Sequence, residues 1–272
     1  MKQVALVTGA TSGIGAATAV ALAAGGYTVY GMGRRTQRLA RLAKHGVNGL
    51  VVDLTDQAAI DSAVQSILQA HGRIDVLVNN AGYGEYGAIE DVSMLQAQRQ
   101  LEVNVLGQIR LAQLVLPAMR QAGAGRIINV TSMGGRFSMA FGGWYHASKY
   151  ALEALSDALR QEVAPFGVKV IVIEPGAIRT EWSQVAGQHA VQTSGHGVYS
   201  NRAGRMTGIL NRPWVQRLQT SPSVVAKTIA KAAMVQRPHT RYIVGMGARP
   251  VLFLRWLLPD RAIDKLLKSL LV

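Results

Sequence analysis

Six runs of β-branched and apolar residues, each followed by a segment of helical periodicity, predict an α/β protein. The expected architecture is a doubly wound, seven-stranded, mostly parallel sheet with helices on both faces. Two further observations point the same way. The first apolar run leads directly into a glycine-rich turn and a helix. The glycines and polar residues that punctuate the chain also fall just after the predicted strands, where open sheets of this kind bind ligands.

A chain of 272 residues that is 49% hydrophobic and 16% charged is long and apolar enough for one large buried core, so residues 1–272 are expected to form a single domain. The absence of cysteine excludes disulfides, thiolate metal sites and cysteine nucleophiles, and no spacing in the chain predicts a metal site. The first ten residues, MKQVALVTGA, carry one lysine and run into the glycine turn instead of a small-residue cleavage site. They read as a buried strand, which leads to the expectation of a cytoplasmic protein. The net charge is +14, from 29 Lys and Arg against 15 Asp and Glu. Such an excess favours acidic ligands or anionic surfaces. Nucleic acid is not the expected partner, because no recognition motif stands out and the basic residues are mostly scattered.

Lys2 to Thr8 forms the first predicted strand, followed by Gly9, Gly13 and Gly15 within seven residues and an alanine-rich helix. Strand, glycine turn and helix is the geometry in which free N–H groups at a helix start bind phosphate. The second strand, Tyr27 to Met32, ends at Gly33-Arg34-Arg35. An acid at this place would suit the ribose 2′-hydroxyl of NAD; arginines suit the 2′-phosphate of NADP. Asn48 to Asp53 is the third strand, with a helix from Gln57 to His71 behind it. Ile74 to Asn79 is the fourth, ending in Asn79-Asn80-Ala81-Gly82. Val92 to Met119 has helical periodicity with Asn104 among apolar residues, a placement that requires a polar partner or an ordered water. Arg126 to Thr131 is the fifth strand, closed by Ser132. Val168 to Glu174 is the sixth, closed by Pro175-Gly176 and reaching Thr180. A helix after Ser221-Pro222 and a seventh strand, Arg241 to Val244, complete the sheet.

Between strands five and six lies Trp144-Tyr145-His146-Ala147-Ser148-Lys149. In a helix, Tyr145 and Lys149 share one face, so a phenol and an ammonium address the same small volume. A phenol has an unperturbed pKa of ~10, and a neighbouring cation lowers it toward useful acid–base chemistry.

With these residues in place the chain resembles the short-chain dehydrogenase/reductase family of Tyr-x-x-x-Lys type. The resemblance rests on Thr8-Gly9-x-x-x-Gly13-x-Gly15, Asn79-Asn80-Ala81-Gly82, Asn104, Ser132, Tyr145, Lys149, Pro175-Gly176 and Thr180, with serine thirteen positions before tyrosine. It implies a Rossmann-like fold and an NADP(H)-dependent interconversion of a carbonyl and an alcohol. Tyr145 would be the general acid and base, and Lys149 would depress its pKa and hold the nicotinamide ribose. Ser132 would hold the substrate oxygen, and Asn104 would anchor a water leading from Lys149 to solvent. Gly9, Ser12 and Ile14 would lie along the pyrophosphate, Arg34 and Arg35 at the 2′-phosphate, Asp53 near adenine and Asn79 near its ribose. Ile178 and Thr180 would meet the carboxamide. The resemblance adds Gly13, Gly15, Leu54, Asn80, Ala81, Gly82, Pro175 and Gly176 to the cofactor's surroundings, and implies a homodimer or homotetramer.

Residues 181–217, rich in glycine and polar groups up to Gly208, are expected to form a mobile substrate lid bearing Arg202, Arg205, Arg212 and Arg217. The tail 250–272 is apolar and basic. From Asp260 on, Ala262, Ile263, Leu266, Leu267, Leu270 and Leu271 form one helical stripe. Three readings of the tail stand open: a cover over pocket or core, a subunit contact, and a helix on a membrane surface. The apolar tail points to a lipophilic steroid-, retinoid- or acyl-like substrate. The alternative is an NADPH-binding sensor or scaffold without turnover.

Overall fold

The computed structural model describes residues 2–210 and 213–271, without the side chains of 209–210, 213–215 and 269–271. Seven strands form one sheet: β1 Val4–Thr8, β2 Thr28–Gly33, β3 Val47–Val51, β4 Val76–Asn79, β5 Gly125–Val130, β6 Val168–Pro175 and β7 Arg241–Val244. Their order is β3-β2-β1-β4-β5-β6-β7 and every pairing is parallel. The order reverses between β1 and β4, which opens a crevice beyond the carboxyl ends of these strands.

The period of two along each strand divides the core into two layers. Ala5 and Val7 face α1 (Gly13–Ala24), α2 (Thr36–Leu42) and, further along the chain, the helix Pro222–Met234. Val4 and Leu6 face α3 (Gln57–His71) and the helix Gly107–Gln121 on the other side. Strands so buried on both faces are the near-continuous apolar runs by which the sequence announced them.

The stretch read as one helix over Val92 to Met119 has a break in it. It comprises α4 (Met94–Leu101), a π-turn over Glu102–Leu106, and α5 (Gly107–Gln121). Asn104 sits in the wide turn, fully buried. Its Nδ2 donates to the Tyr83 carbonyl and the Ser148 hydroxyl, both at 3.0 Å, and its Oδ1 accepts from the Tyr83 N–H at 3.1 Å. These bonds supply the partner that its burial demanded. Tyr145 and Lys149 lie in the first turns of α6 (Gly143–Val163).

The segment expected to form a lid is helical, contrary to the expected loop: α7 Trp182–Ser194, α8 Ser200–Leu210 and α9 Pro213–Leu218. Its small residues explain this. Ala186 and Ala190 of α7 and Ala203 and Met206 of α8 are buried together against Tyr86, Phe141 and Tyr145. Packing, not intrinsic propensity, holds helices of this composition. Arg212 of the expected basic cluster lies outside the described residues. After α10 (Pro222–Met234) and β7, the tail forms α11 (Ala248–Leu257) and α12 (Asp260–Leu271). α11 packs on β7 and on the turn Met133–Gly135, and α12 packs on α8. Ile263 is buried while Leu266 is 42% exposed, and the side chains of Leu270 and Leu271 lie outside the described residues. No helix among the described residues is long and apolar enough to cross a membrane.

Two glycines separate close packing from mere propensity. A Cβ on Gly15 would meet the Gly9 carbonyl oxygen and Asn80 Nδ2, whereas one on Gly204 in α8 meets nothing within 4 Å. In urea unfolding, Gly15→Ala should lose about 1–3 kcal/mol by overpacking. Gly204→Ala should gain about 0.5–1 kcal/mol through helix propensity. Equal effects of the two substitutions would contradict this account of the turn.

Candidate active site

Helix α1 begins without the usual cap. Ser12, its N-cap residue, makes no side-chain capping bond, and no acid occupies the first turn. The first N–H groups of the helix are therefore available to an anion. The turn is held open from beneath by Thr8. Its hydroxyl accepts from the N–H of Asn80 and of Ala81, and its carbonyl accepts from Asn80 Nδ2, all at 2.9 Å. Gly9, at φ +64°, lies so near the β4 loop that a Cβ would approach Ala81 Cα to 2.8 Å.

The turn, the strand ends and the start of α7 border one cleft of about 860 Å³. It brings Ser132, Tyr145 and Lys149 together with Gly9, Ser12, Gly13, Ile14, Arg34, Arg35, Asp53, Leu54, Asn80, Ala81, Gly82, Pro175, Gly176, Ile178 and Thr180. Two expected positions lie elsewhere. Gly15 does not line the cleft; its lack of a side chain lets α1 approach Gly9 and Asn80. Asn104, expected to anchor a water beside Lys149 and not to line the wall, lies behind Tyr83. Asn79, expected near the adenine ribose, is fully buried and donates to the Gln108 carbonyl at 3.1 Å and to Asn129 Oδ1 at 2.9 Å. Its neighbour Asn80 takes the place on the wall, because successive side chains leave a strand on opposite faces.

At the end of the cleft beyond β2 and β3, Arg34 is 3.5 Å from Asp53, which accepts from the N–H and hydroxyl of Thr55, both at 3.1 Å. Arg35 is less free than expected. Its guanidinium donates to Thr11 Oγ1 at 3.1 Å, Ser12 Oγ at 2.7 Å and Glu181 Oε2 at 2.8 Å, and Arg38 donates to the other oxygen of Glu181 at 2.7 Å. Glu181, whose only mark in the sequence is that it is the lone acid of the lid, thus ties the start of α7 to the glycine turn.

At the other end, Tyr145 is buried among rings, with the Trp182 centroid 4.9 Å and the Tyr86 centroid 5.8 Å away. Burial pushes its hydroxyl up to about 12; a hydrogen bond from Ser132 pulls the other way. Burial, not the expected depression by Lys149, sets the direction. Lys149 is itself pushed down to about 8 by burial, against the opposing effect of Glu153. Its Nζ donates to the Val130 carbonyl at 3.0 Å. The loop from Ser132 to Tyr145 is held by His146, whose Nδ1 donates to the Gly134 carbonyl at 2.8 Å. In that loop Phe141 adopts φ +66°, a conformation costing about 1–3 kcal/mol for such a residue. It delivers the Phe141 ring to Tyr199, 6.0 Å away. Sequence reading missed Tyr86, Phe141, His146 and Trp182. Of these only His146 adjoins a recognised motif residue.

The profile of the short chain dehydrogenase family matches residues 3–190. The chain belongs to that family. It is 33% identical to a probable short-chain type dehydrogenase/reductase, VdlC, of Helicobacter pylori over 97% of this chain and 96% of that one. It is also 33% identical to an NADPH-dependent 3-dehydrocapnine reductase of Ornithobacterium rhinotracheale, over 96% of this chain and 95% of that one. The crystal structure of a short-chain dehydrogenase from Streptomyces avermitilis superposes with a TM-score of 0.78 at 33% identity, covering 98% of this chain and 95% of its own. Family members are oxidoreductases that use a nicotinamide cofactor. The uncapped helix start, the glycine cradle and the arginines at the far end fit such a dinucleotide.

Glu153 is the group that raises the Lys149 pKa. Glu153→Gln should therefore move Lys149 below about 8, read by NMR of the labelled lysine; an unmoved titration would show that the carboxylate is not felt. The sign for stability follows. Between about 8 and the ordinary 10.5 the unfolded chain holds a proton that the folded chain has released, so this group's contribution to stability rises with pH across that window.

Proposed function

We propose that this protein is an NADP(H)-dependent reductase or dehydrogenase of lipophilic carbonyls and alcohols, with Tyr145 as its acid and base. The observation that carries the reading is the convergence of Ser132, Tyr145 and Lys149 at the apolar end of a cleft whose other end presents Arg34 and Arg35. The nicotinamide supplies or accepts the hydride at the carbonyl carbon. In reduction, the Ser132 hydroxyl donates a hydrogen bond to the substrate oxygen, and the Tyr145 hydroxyl gives that oxygen its proton as negative charge develops. A phenol held near 12 keeps its proton until such an oxygen is beside it. Lys149, buried in the same cleft with its pKa brought down to about 8, supplies positive charge at this end. Oxidation runs the same transfers backward.

The walls near Tyr145 support a lipophilic substrate, since Tyr86, Phe137, Met139, Trp182, Val185 and Met206 all line the cleft. The guanidinium of Arg34, 66% exposed, is placed to meet a 2′-phosphate, and the capnine reductase relative uses NADPH. A sensor without turnover has no use for a serine, a tyrosine and a buried lysine at one point.

Tyr145→Phe should leave NADPH affinity nearly intact and cut NADPH consumption on an accepted ketone by about 10²–10⁴-fold. Unchanged turnover would refute the assignment. Arg34→Ala should weaken NADPH about tenfold or more, as loss of a charge-assisted contact, while NADH changes little. Equal losses would remove the case for NADP.

A further inference from the structure

The cleft holds a second polar pair that proton and hydride transfer do not employ. Glu85, in the loop after β4, is 6% exposed, and it lines the cleft together with His189 of α7. Glu85 Oε1 lies 3.3 Å from His189 Nδ1 and accepts from Gln96 Nε2 at 3.5 Å. Glu85's backbone N–H donates to Gln100 Oε1 at 2.6 Å, which fixes the residue from behind. Among the described residues no donor reaches Oε2.

The pair stands close to the reacting groups. The next residue, Tyr86, places its ring 5.8 Å from that of Tyr145. The preceding one, Gly84, packs so closely on Trp182 that a Cβ would approach its indole to 2.9 Å. Around them the wall mixes Tyr86, Trp182 and Val185 with the polar Gln96 and Arg99. A carboxylate in such a place is costly unless a cation or a strong donor completes it. Burial raises the pKa of Glu85, and His189 opposes that shift. A buried acid in the wall beside Tyr86 and Trp182 favours positive charge in a ligand that reaches it.

We propose that Glu85, with His189 held against its Oε1, is a binding subsite for the ammonium group of an amine-bearing carbonyl substrate whose remaining surface is lipophilic. The proposal rests on the oxidoreductase reading of the same cleft and names the class of molecule presented to it. His189 Nδ1 stands 3.3 Å from one carboxylate oxygen without a hydrogen bond to it, and the other oxygen is left for the ligand. The competing role is a tether between α7 and the β4 loop, which would act on every ligand alike.

The test compares n-octylamine with 1-octanol as ligands of the full-length protein saturated with NADPH, with tryptophan fluorescence reporting binding beside Trp182. The amine should bind about 10–100-fold more tightly than the alcohol, the range of a hydrogen bond to a charged group. Glu85→Gln should bring that ratio close to one, with NADPH affinity measured alongside to show that the cleft is intact. Equal affinities in the native protein, binding of neither ligand, or an unchanged ratio in the variant would overturn the subsite. The native comparison needs no variant, so a misfolded mutant leaves the proposal decidable. Amine-selective binding without reduction of any carbonyl would sink the reductase reading alone. Turnover of simple ketones without amine preference would sink the subsite alone.

Discussion

A lysine ammonium that is 4% exposed needs compensation from within the protein, and much of this structure exists around that requirement. The Val130 carbonyl supplies one bond and Glu153, one helical turn along α6, supplies the opposing charge. Glu153 is itself buried and must be satisfied in turn. The Thr131 hydroxyl donates to it at 2.5 Å and Arg241 at 3.0 Å. Arg241 also reaches Asp157 at 2.6 Å and stands 3.2 Å from the fully buried Glu174. Strand β7, at the edge of the sheet, thus carries the cation that anchors the acid that keeps Lys149 charged. A pair broken anywhere along this series would leave an uncompensated charge in a dry interior.

The same dryness sets the character of the site. Trp182, Tyr86 and the alanine-packed faces of α7 and α8 exclude water from Tyr145, so its hydroxyl rises where open water would leave it near 10. In such surroundings each remaining charge acts over a longer range than it would at the surface. Helices α7 and α8 thus shape the site by what they keep out, and Glu181 fastens the start of α7 to the glycine turn through Arg35 and to α2 through Arg38.

How much of this was legible depended on whether the signal was local. The glycine turn, Ser132 and the Tyr145–Lys149 spacing are short patterns, and the helix Gln57–His71 and the strand Arg241–Val244 coincide with the periods that predicted them. The choice between Asn79 and Asn80 was not legible: two identical neighbours leave a strand on opposite faces, and only the fold says which face is the cleft. The lid's helices left a fainter trace in Ala186 and Ala190, four apart, masked by glycines elsewhere in the segment. Glu85 and His189 meet from distant parts of the chain, so no window contains their pairing. The rise of the Tyr145 pKa was misjudged for another reason. Spacing gives the sign of a charge effect, but the balance against desolvation requires the burial itself.

The wide turn at Glu102–Leu106 has a consequence for the loop it faces. Residues 79 to 85 are neither helix nor, after Asn79, strand, yet several of their peptide groups are buried and must find partners. Gln100 receives the Glu85 N–H and donates to the Tyr83 carbonyl; Asn104 serves Tyr83 on both sides; Gln108 donates to the Ala81 carbonyl at 2.5 Å. The three amides are spaced by four. On a straight helix of 3.6 residues per turn, residue 108 would sit about 80° around the axis from residue 100, too far to address the same segment. One turn wound more loosely takes back part of that drift. The helix thereby becomes a comb whose teeth stay in line, and it gives an irregular loop the backbone partners that a neighbouring strand would otherwise have provided.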